Sequence, residues 1–264
     1  EIAVKVLPEH LAEQQPALVQ RFLREAQIAS RVESPRLVRV TDVNQEAGLY
    51  YLVMEYVNGL SAGDYRRRCA EAGQDKLDEA VTLDICIAGT AGLAAAHKEG
   101  IIHRDVKPDN ILIPQGKDGT LHFTDAKLAD LGLARAEDLA GHSLTGAQSA
   151  MGTPGYMAPE QAMNAKKAGK PADVFSMGAT LYAMLAGHSP FRGETTTETV
   201  MATIQQPHKP LREVRPDVSP VTAELIDRCL AKDPAQRFVD GSALWEALKV
   251  ARASVAAPDA DKRQ

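Results

Sequence analysis

The residues that could do chemistry concentrate in one ten-residue stretch, IIHRDVKPDN, at 101–110. Behind two isoleucines it places a histidine, an arginine, a lysine, two aspartates and an asparagine, side chains that seldom enter a core unpaired. Such a stretch is either a polar turn or a loop that holds a metal, a phosphate and a hydroxyl together. A second segment, LADLGLA at 128–134, contributes a further aspartate, Asp130.

Phosphoryl transfer from ATP is a reaction that needs this set of side chains. Mg²⁺ takes hard oxygen ligands, and Asp130 with Asn110 would supply a carboxylate and an amide oxygen. Asp105 would orient the attacking hydroxyl and accept its proton, and Lys107 would balance the charge on the moving phosphoryl group. Asp105, Lys107 and Asn110 are therefore the predicted catalytic residues, and Asn110 and Asp130 the predicted metal ligands.

The elements that must position these residues fall into a β-rich part and a helical part. Residues 1–7 and the runs RLVRVTDV and LYYLVMEYV are strand-like, with a helical pattern between them and a turn at NQEAG. NGLSAGD, at 58–64, indicates a flexible connector. The remainder has helical patterns near 78–99, 172–187, 221–231 and 242–252. Short β-like pieces lie between them, at ILIP, LHFT and AKLAD. The predicted fold is α+β with two lobes, and ligands usually bind in the cleft between such lobes.

Several further motifs complete a resemblance to the protein kinase family. They occur in the family's order over residues 1 to about 250 and read AVK, RFLREAQIA, YLVMEYVNG, HRDVKPDN, DLG, GTPGYMAPE and DVFSMGATLY. Within this resemblance, Lys107 and a threonine at 153 able to bridge it to Asp105 favour Ser/Thr over Tyr specificity. The APEQ ending resembles that of bacterial Ser/Thr kinases of the eukaryotic type. The resemblance implies a kinase fold truncated before its first strands, with a partial N-lobe at 1–57, a C-lobe at 58–251 and a polar tail or linker at 252–264.

The resemblance also implies an ATP site and a phosphorylation switch. Lys5 would grip the α- and β-phosphates, with Glu25 as its ion-pair partner. The adenine contacts it implies are Ala3 and Leu112 on the two ring faces, Met54 as gatekeeper, and the backbone from Glu55 to Val57. Arg104 would hold a phosphate on the activation segment, carried by Ser149 or Thr145, and Thr153 would bridge Asp105 and Lys107.

Other residues of the motifs are expected to support the fold. Asp173 would anchor the loop at 101–110, called the catalytic loop below. Glu160 would form a buried ion pair with Arg237. Leu131, which replaces the phenylalanine usual in the family, would stack with Ala29 and His103.

The sequence departs from the family pattern at two places. No two of its 19 glycines stand two residues apart, so the Gly-rich loop over the ATP phosphates is absent. Because the chain opens inside a strand motif, we expect the strands that carry the loop to precede residue 1 in a longer protein. The interval between Asn110 and Asp130 is several residues longer than usual, and its QGKDGT turn predicts an extended hairpin with no assigned function.

Composition restricts the compartment and the partners. A formal net charge of −5 over 264 residues gives no basic excess for nucleic acid. Cys69, Cys86 and Cys229 have no metal-ligand or CxxC spacing and indicate thiols in a reduced, cytoplasmic compartment. No membrane span is expected within the chain, although a segment outside it could anchor the full-length protein.

Three hypotheses account for the motifs. The first is a Ser/Thr kinase domain that uses ATP and Mg²⁺, acts on proteins bearing Ser or Thr, and meets a second copy of itself for autophosphorylation. The second is a pseudokinase, a nucleotide-binding or scaffold module without turnover, but such a module has no need of the complete catalytic set. The third is a small-molecule phosphotransferase, which does not need the GTPGYMAPE segment that docks a peptide.

Overall fold

The computed structural model describes residues 1–7, 16–131, 152–164 and 168–255. Within the first helix, the side chains of residues 16–18, 21, 24, 25 and 28 also lie outside this description.

An antiparallel sheet and one helix form the smaller part of the molecule. Strands β1 (Ile2–Leu7), β2 (Val40–Glu46) and β3 (Leu49–Glu55) pair in the order β1-β3-β2. Helix α1 (Pro16–Ala29) packs on one sheet face through a small apolar cluster made of Leu7, Val19, Phe22, Ala26 and Leu52. Alternation along β1 puts Ala3 and Lys5 on the same side as buried Leu7, because side chains two residues apart share a face.

Helices dominate the larger part. They are α2 (Ala62–Glu71), α3 (Glu79–Lys98), α4 (Pro159–Met163), α5 (Lys170–Ala186), α6 (Thr196–Gln205), α7 (Leu211–Val214), α8 (Pro220–Cys229) and α9 (Gly241–Ser254). A second small sheet, in the order β4-β5-β6, contains β4 (Gly59–Ser61), β5 (Ile111–Pro114) and β6 (Lys127–Leu128). The predicted α+β fold with a small β-rich part and a larger helical part is confirmed.

Local side-chain chemistry fixes where several of these helices begin. Asp78, Thr195, Ser219 and Asp240 each accept a hydrogen bond from the backbone N–H three residues later, at the starts of α3, α6, α8 and α9. Helix α5 ends at Gly187, whose φ of 83° is the left-handed conformation that glycine adopts at little cost.

Helix α3 is the longest helix and lies in the centre of the larger part. It has 20 residues and is the one helix of the described residues that is long and apolar enough to cross a membrane. Its packing is that of a core helix, because 78% of its most apolar window is buried within the molecule. The helical pattern predicted near 78–99 agrees with its observed bounds.

Two predicted loops are shorter or more ordered than expected. NQEAG is not a five-residue turn: 44–46 pair with β3, and only Ala47 and Gly48 turn, with φ of 50° and 84°. Two positive φ angles allow a two-residue hairpin that follows the strand twist. The prediction of a flexible connector at 58–64 is wrong, because Gly59–Ser61 is a strand. The Ser61 hydroxyl then accepts the Asp64 N–H, and α2 begins.

The hairpin between β5 and β6 is extended, as predicted, but its second half is not a strand. Gln115 and Leu121 form a single bridge, and Phe123–Asp125 then makes a 3₁₀ turn. The ring of Phe123 lies 5.1 Å from that of Tyr65 on α2. Phe123 therefore attaches the end of the insertion to the larger part, while the turn at 117–120 is exposed to solvent.

The ion pair between Arg237 and Glu160 provides a test of fold integrity. Arg237 is 3% exposed, and its guanidinium also donates to the carbonyl oxygens of Pro171, Ala231 and Lys232. Arg237→Met should lower the free energy of unfolding by about 3–5 kcal/mol, because it leaves the Glu160 carboxylate without its partner. Denaturant titration measures the loss.

Tyr182→Phe is the control for that measurement. Its hydroxyl is buried without a hydrogen-bond partner among the described residues, so removing it should cost almost nothing. Equal losses in the two variants would contradict the importance given to the ion pair.

Candidate active site

A buried carboxylate holds the start of the loop at 101–110. Asp173, on α5, is fully buried, and its Oδ1 accepts the Arg104 N–H at 2.7 Å. Its Oδ2 accepts the His103 N–H and the His97 Nε2–H, both at 2.8 Å. The Nδ1 of His97 in turn accepts the N–H of Gly241, which begins α9. One aspartate therefore connects the loop to helices α3, α5 and α9.

His103 connects this loop to the strand that leads to Asp130. Its Nε2 lies 2.8 Å from the carbonyl oxygen of Ala129, and its Nδ1 lies 3.3 Å from the N–H of Asp105. The tautomer that carries its hydrogen on Nε2 donates to the first group and accepts from the second. His103 is fully buried between the segments that carry Asp105 and Asp130. Its role is therefore to hold these segments in place, as the sequence suggests.

Asp105, Lys107 and Thr153 form a compact polar group. The Lys107 ammonium lies 2.7 Å from the Thr153 hydroxyl and 2.8 Å from Asp105 Oδ2. The Thr153 hydroxyl and N–H both reach Asp105 Oδ1, at 3.0 and 3.2 Å. The structure thus places Thr153 between the aspartate and the lysine. Their side chains are 15% and 22% exposed, so the group is accessible but largely shielded from water.

Asn110 orients the aspartate from the other side. Its Nδ2 donates to the Asp105 carbonyl oxygen at 2.7 Å and to Asp105 Oδ2 at 3.2 Å. With the amide nitrogen used in this way, Oδ1 is the atom of Asn110 that a cation could bind. The carbonyl oxygen of Asn110 accepts the Ala129 N–H, which keeps the segment before Asp130 next to it.

Lys5 reaches across from the smaller part to the second aspartate. Its Nζ lies 2.9 Å from Asp130 Oδ1, and the two side chains are 40% and 38% exposed. A lysine and a carboxylate that meet in an accessible cleft fit a phosphate group and its counter-cation, because each would bind one of them. The side chain of Glu25, predicted to pair with Lys5, lies outside the described residues.

Backbone strain is concentrated at this site. Among the described residues, three other than glycine have positive φ, and two of them are Arg104 at 68° and Asp130 at 59°. Such angles cost free energy for side chains with a Cβ and persist where the surroundings hold them. Gly152, at 87°, lets the chain pass the Arg104 carbonyl oxygen, which a Cβ would approach to 3.1 Å.

The predicted adenine-binding residues lie on both sheets and on the segment that joins them. Ala3 pairs with Met54 across β1 and β3, and Met54 shares the lining of a small cavity with Ala29 and Leu131. Leu112 is on β5, in the second sheet. Val57 lies between β3 and β4, and Ala3, Met54, Leu112 and Val57 are all partly buried.

Two residues that sequence reasoning did not select hold the segment between the two parts. The Glu55 side chain forms an ion pair with Lys127 on β6 and accepts the Arg39 N–H at 3.4 Å. Beyond it, Asn58 exchanges hydrogen bonds with the Gln115 backbone, so the inserted hairpin is attached to this segment. Neither Lys127 nor Asn58 has a recognisable signal in one sequence, because both are polar residues at exposed-looking positions.

The predicted switch is only partly described. Ser149 and Thr145 lie outside the described residues. Arg104 is described, and its carbonyl oxygen accepts the Gln161 side-chain amide at 2.8 Å. The binding of a phosphate on Ser149 or Thr145 by the Arg104 side chain therefore remains a prediction.

Comparison with known proteins agrees with this geometry. Residues 1–247 match the family described as protein kinase domain. The chain belongs to the protein kinase family. It is 36% identical over 258 residues to the Ser/Thr kinase PknA of Mycobacterium tuberculosis, covering 96% of this chain and 55% of that protein. It is 32% identical over 238 residues to the Ser/Thr kinase PrkC of Bacillus subtilis, covering 90% of this chain and 34% of that protein.

Solved structures show the same fold. The Mycobacterium tuberculosis PknI kinase domain has 27% identity and a TM-score of 0.72, and the match covers 95% of this chain and 85% of that chain. Rad53 residues 1–466, solved in complex with AMP-PNP, have 28% identity and a TM-score of 0.70 over 93% of this chain and 57% of that chain. The kinase domain spans between a third and just over half of the length of the curated relatives named above.

Asp173 provides a test of how the loop is held. Asp173→Asn should lower the free energy of unfolding by about 2–5 kcal/mol, because the amide offers one acceptor to three buried donors and brings N–H groups of its own. Turnover should fall further than the folded fraction, since His103 and Arg104 lose their anchor. Denaturant titration and initial rates measure the two effects.

Asp227→Asn is the matched control. Asp227 also pairs with a histidine, His208, at 2.8 Å, but its side chain is 52% exposed. The control should cost less than about 1 kcal/mol. Similar losses in both variants would contradict the anchoring role of Asp173.

Proposed function

We propose that this kinase domain transfers the γ-phosphoryl group of ATP to Ser or Thr hydroxyls of proteins. The observation that carries the proposal is a threonine hydroxyl, that of Thr153, bound between the Asp105 carboxylate and the Lys107 ammonium. A substrate hydroxyl needs the same two neighbours, a carboxylate to take its proton and a cation beside the incoming phosphoryl group.

Each residue of the group has a role that follows from its contacts. Asp105 orients the acceptor hydroxyl and takes its proton, and Asn110 and Thr153 keep its two oxygens in place. Lys107 offsets negative charge at the point of transfer, and it acts strongly because the group is mostly shielded from water. Lys5 binds the phosphates of the nucleotide, and Asp130 lies within reach of Lys5 at the same place.

The donor set fits ATP with Mg²⁺. Mg²⁺ when bound would neutralise the nucleotide phosphates, and the Asp130 carboxylate and the Asn110 Oδ1 are the residues that would hold it. The described residues contain no group of three His, Cys, Asp or Glu side chains suited to a metal. That composition agrees with a cation whose remaining ligands come from phosphate and water.

The competing functions have less support. A pseudokinase is free to lose the residues that this chain keeps in contact, and the curated relatives named above are Ser/Thr kinases. A small-molecule phosphotransferase would not need the segment around Thr153.

The proposal includes protein substrates, association of two copies during autophosphorylation, and a cytoplasmic location, which suits three free cysteines.

Asp130→Asn tests the cation site. In the full-length protein, the variant should lose Mg²⁺-dependent phosphoryl transfer almost completely, because the amide lacks the charge that the cation requires. Its thermal unfolding should change little, since Asp130 is 38% exposed. Turnover of the variant at the wild-type rate would contradict the assignment of Asp130 to the metal.

Asp105→Asn tests the base. Proton acceptance by a placed side chain contributes about 10²–10⁴ in rate, so kcat should fall by about that factor. Binding of ATP, measured by calorimetry, should stay within a few-fold of the wild type because Asp105 does not touch the nucleotide in this assignment. Loss of ATP affinity with normal turnover would show that Asp105 is a ligand and not the base.

A further inference from the structure

A charged cluster lies on the larger part beside the catalytic loop, and the catalytic assignments do not use it. Arg67, on α2, donates from Nη2 to Asp64 Oδ1 at 2.7 Å and from both Nη1 and Nη2 to Asp109 Oδ1 at 3.1 Å. Asp64 also accepts the Ser61 hydroxyl at 2.7 Å. One guanidinium therefore bridges two carboxylates, one from α2 and one from the catalytic loop.

Asp109 is fixed close to the acceptor position. It follows Asp105 by four residues in the same loop, and its neighbour Asn110 is bonded to Asp105. The start of α2 also lies against it, because a Cβ on Gly63 would come within 2.5 Å of Asp109 Oδ1. A peptide that presents a hydroxyl to Asp105 has side chains two or three residues away at a reach of about 7–10 Å.

The cluster also faces the segment that carries Thr153. Tyr156 lies close enough to Arg66, Asp109 and Arg67 for their charges to act on its phenol, whose pKa is raised mainly by burial. The cluster therefore lies at the edge of the group formed by Asp105, Lys107 and Thr153. It is accessible there, since the side chains of Arg67, Asp64 and Asp109 are 48%, 49% and 47% exposed.

The contacts of the bridge stabilise the charged forms of Asp64 and Arg67. The Ser61 hydroxyl and then the Arg67 guanidinium lower the pKa of Asp64, and Asp64 and then Asp109 raise the pKa of Arg67. Each exposed pair is weak by itself, but one planar guanidinium that serves two carboxylates is a network. The bridge has one positive and two negative charges, a net charge of −1, so Arg67 halves the charge that the two carboxylates would otherwise present.

We propose that Arg67 occupies an acidic subsite for the substrate peptide, so that the domain does not favour acceptors that carry a basic residue near the phosphorylated one. Without Arg67, Asp64 and Asp109 would offer a carboxylate pair to an arginine of the peptide. With it, the domain's own guanidinium occupies that position, so a peptide arginine finds no free carboxylate pair there. This inference rests on the proposed protein kinase activity and assigns its substrate class.

The test compares matched peptides on the full-length protein. A neutral parent peptide with one Thr is prepared with a single Arg or a single Glu at each position within three residues of that Thr. The wild type should use the Arg peptides no better than the parent, and the Glu peptides within a few-fold of it. Arg67→Gln keeps helix propensity and should raise kcat/KM for an Arg peptide relative to the parent by about 2- to 5-fold.

Arg68→Gln is the control, because Arg68 is the next residue of α2, is exposed, and forms no ion pair among the described residues. Its ratio of Arg peptide to parent should stay at the wild-type value. Adding Asp64→Asn to Arg67→Gln should remove part of the gain, since one of the two exposed carboxylates is then gone.

The outcomes separate the two proposals. Absence of turnover on every peptide, including the parent, would overturn the proposed function and this inference with it. Turnover of the parent with a wild-type preference for Arg peptides would overturn the inference alone. The same follows if Arg67→Gln leaves the ratio unchanged, or if Arg68→Gln raises it equally.

Discussion

The arrangement of the site depends on one buried carboxylate, that of Asp173. It accepts hydrogen bonds from the backbone at the start of the catalytic loop and from His97, so it fixes the loop to the helical core. A buried charge is costly unless it is hydrogen-bonded, and three donors offset this cost for Asp173. Arg104 can keep its unfavourable φ because the same carboxylate holds its N–H. The polar loop at 101–110 can therefore begin next to the core, because a buried carboxylate binds its backbone there.

Chemistry then follows from two groups that meet at the cleft. On one side, Thr153 and Lys107 surround Asp105, and on the other, Lys5 contacts Asp130 across the two parts of the molecule. His103 joins them, because its ring bonds the backbone of Asp105 and of the residue before Asp130. Relative motion of the two parts would therefore act on Lys5 and Asp130 first, while the group around Asp105 stays attached to the helices.

Sequence patterns were sufficient where chemistry and spacing coincide. The motif residues Asp105, Lys107 and Asn110 lie in one segment, so their proximity was predictable, as was the long helix α3. The pairing of Glu160 with Arg237 followed only from the resemblance to the protein kinase family. Patterns failed where a tertiary contact decides local structure. Gly59–Ser61 is a strand because β5 lies beside it, and Lys127 supports Glu55 although 72 residues separate them. The bridge made by Arg67 was equally out of reach, since three adjacent arginines on a helix are usually a solvated face.

The central claim is that the groups around Asp105 and Asp130 transfer the γ-phosphoryl group of ATP to a protein hydroxyl. The most direct measurement is incubation of the full-length protein with Mg²⁺ and ATP labelled with ¹⁸O in its γ-phosphoryl group, followed by mass spectrometry of the protein. The claim predicts phosphoserine or phosphothreonine that carries the three labelled oxygens of the transferred group. Nucleotide binding with no labelled phosphoserine or phosphothreonine on the protein itself or on any added protein would contradict it.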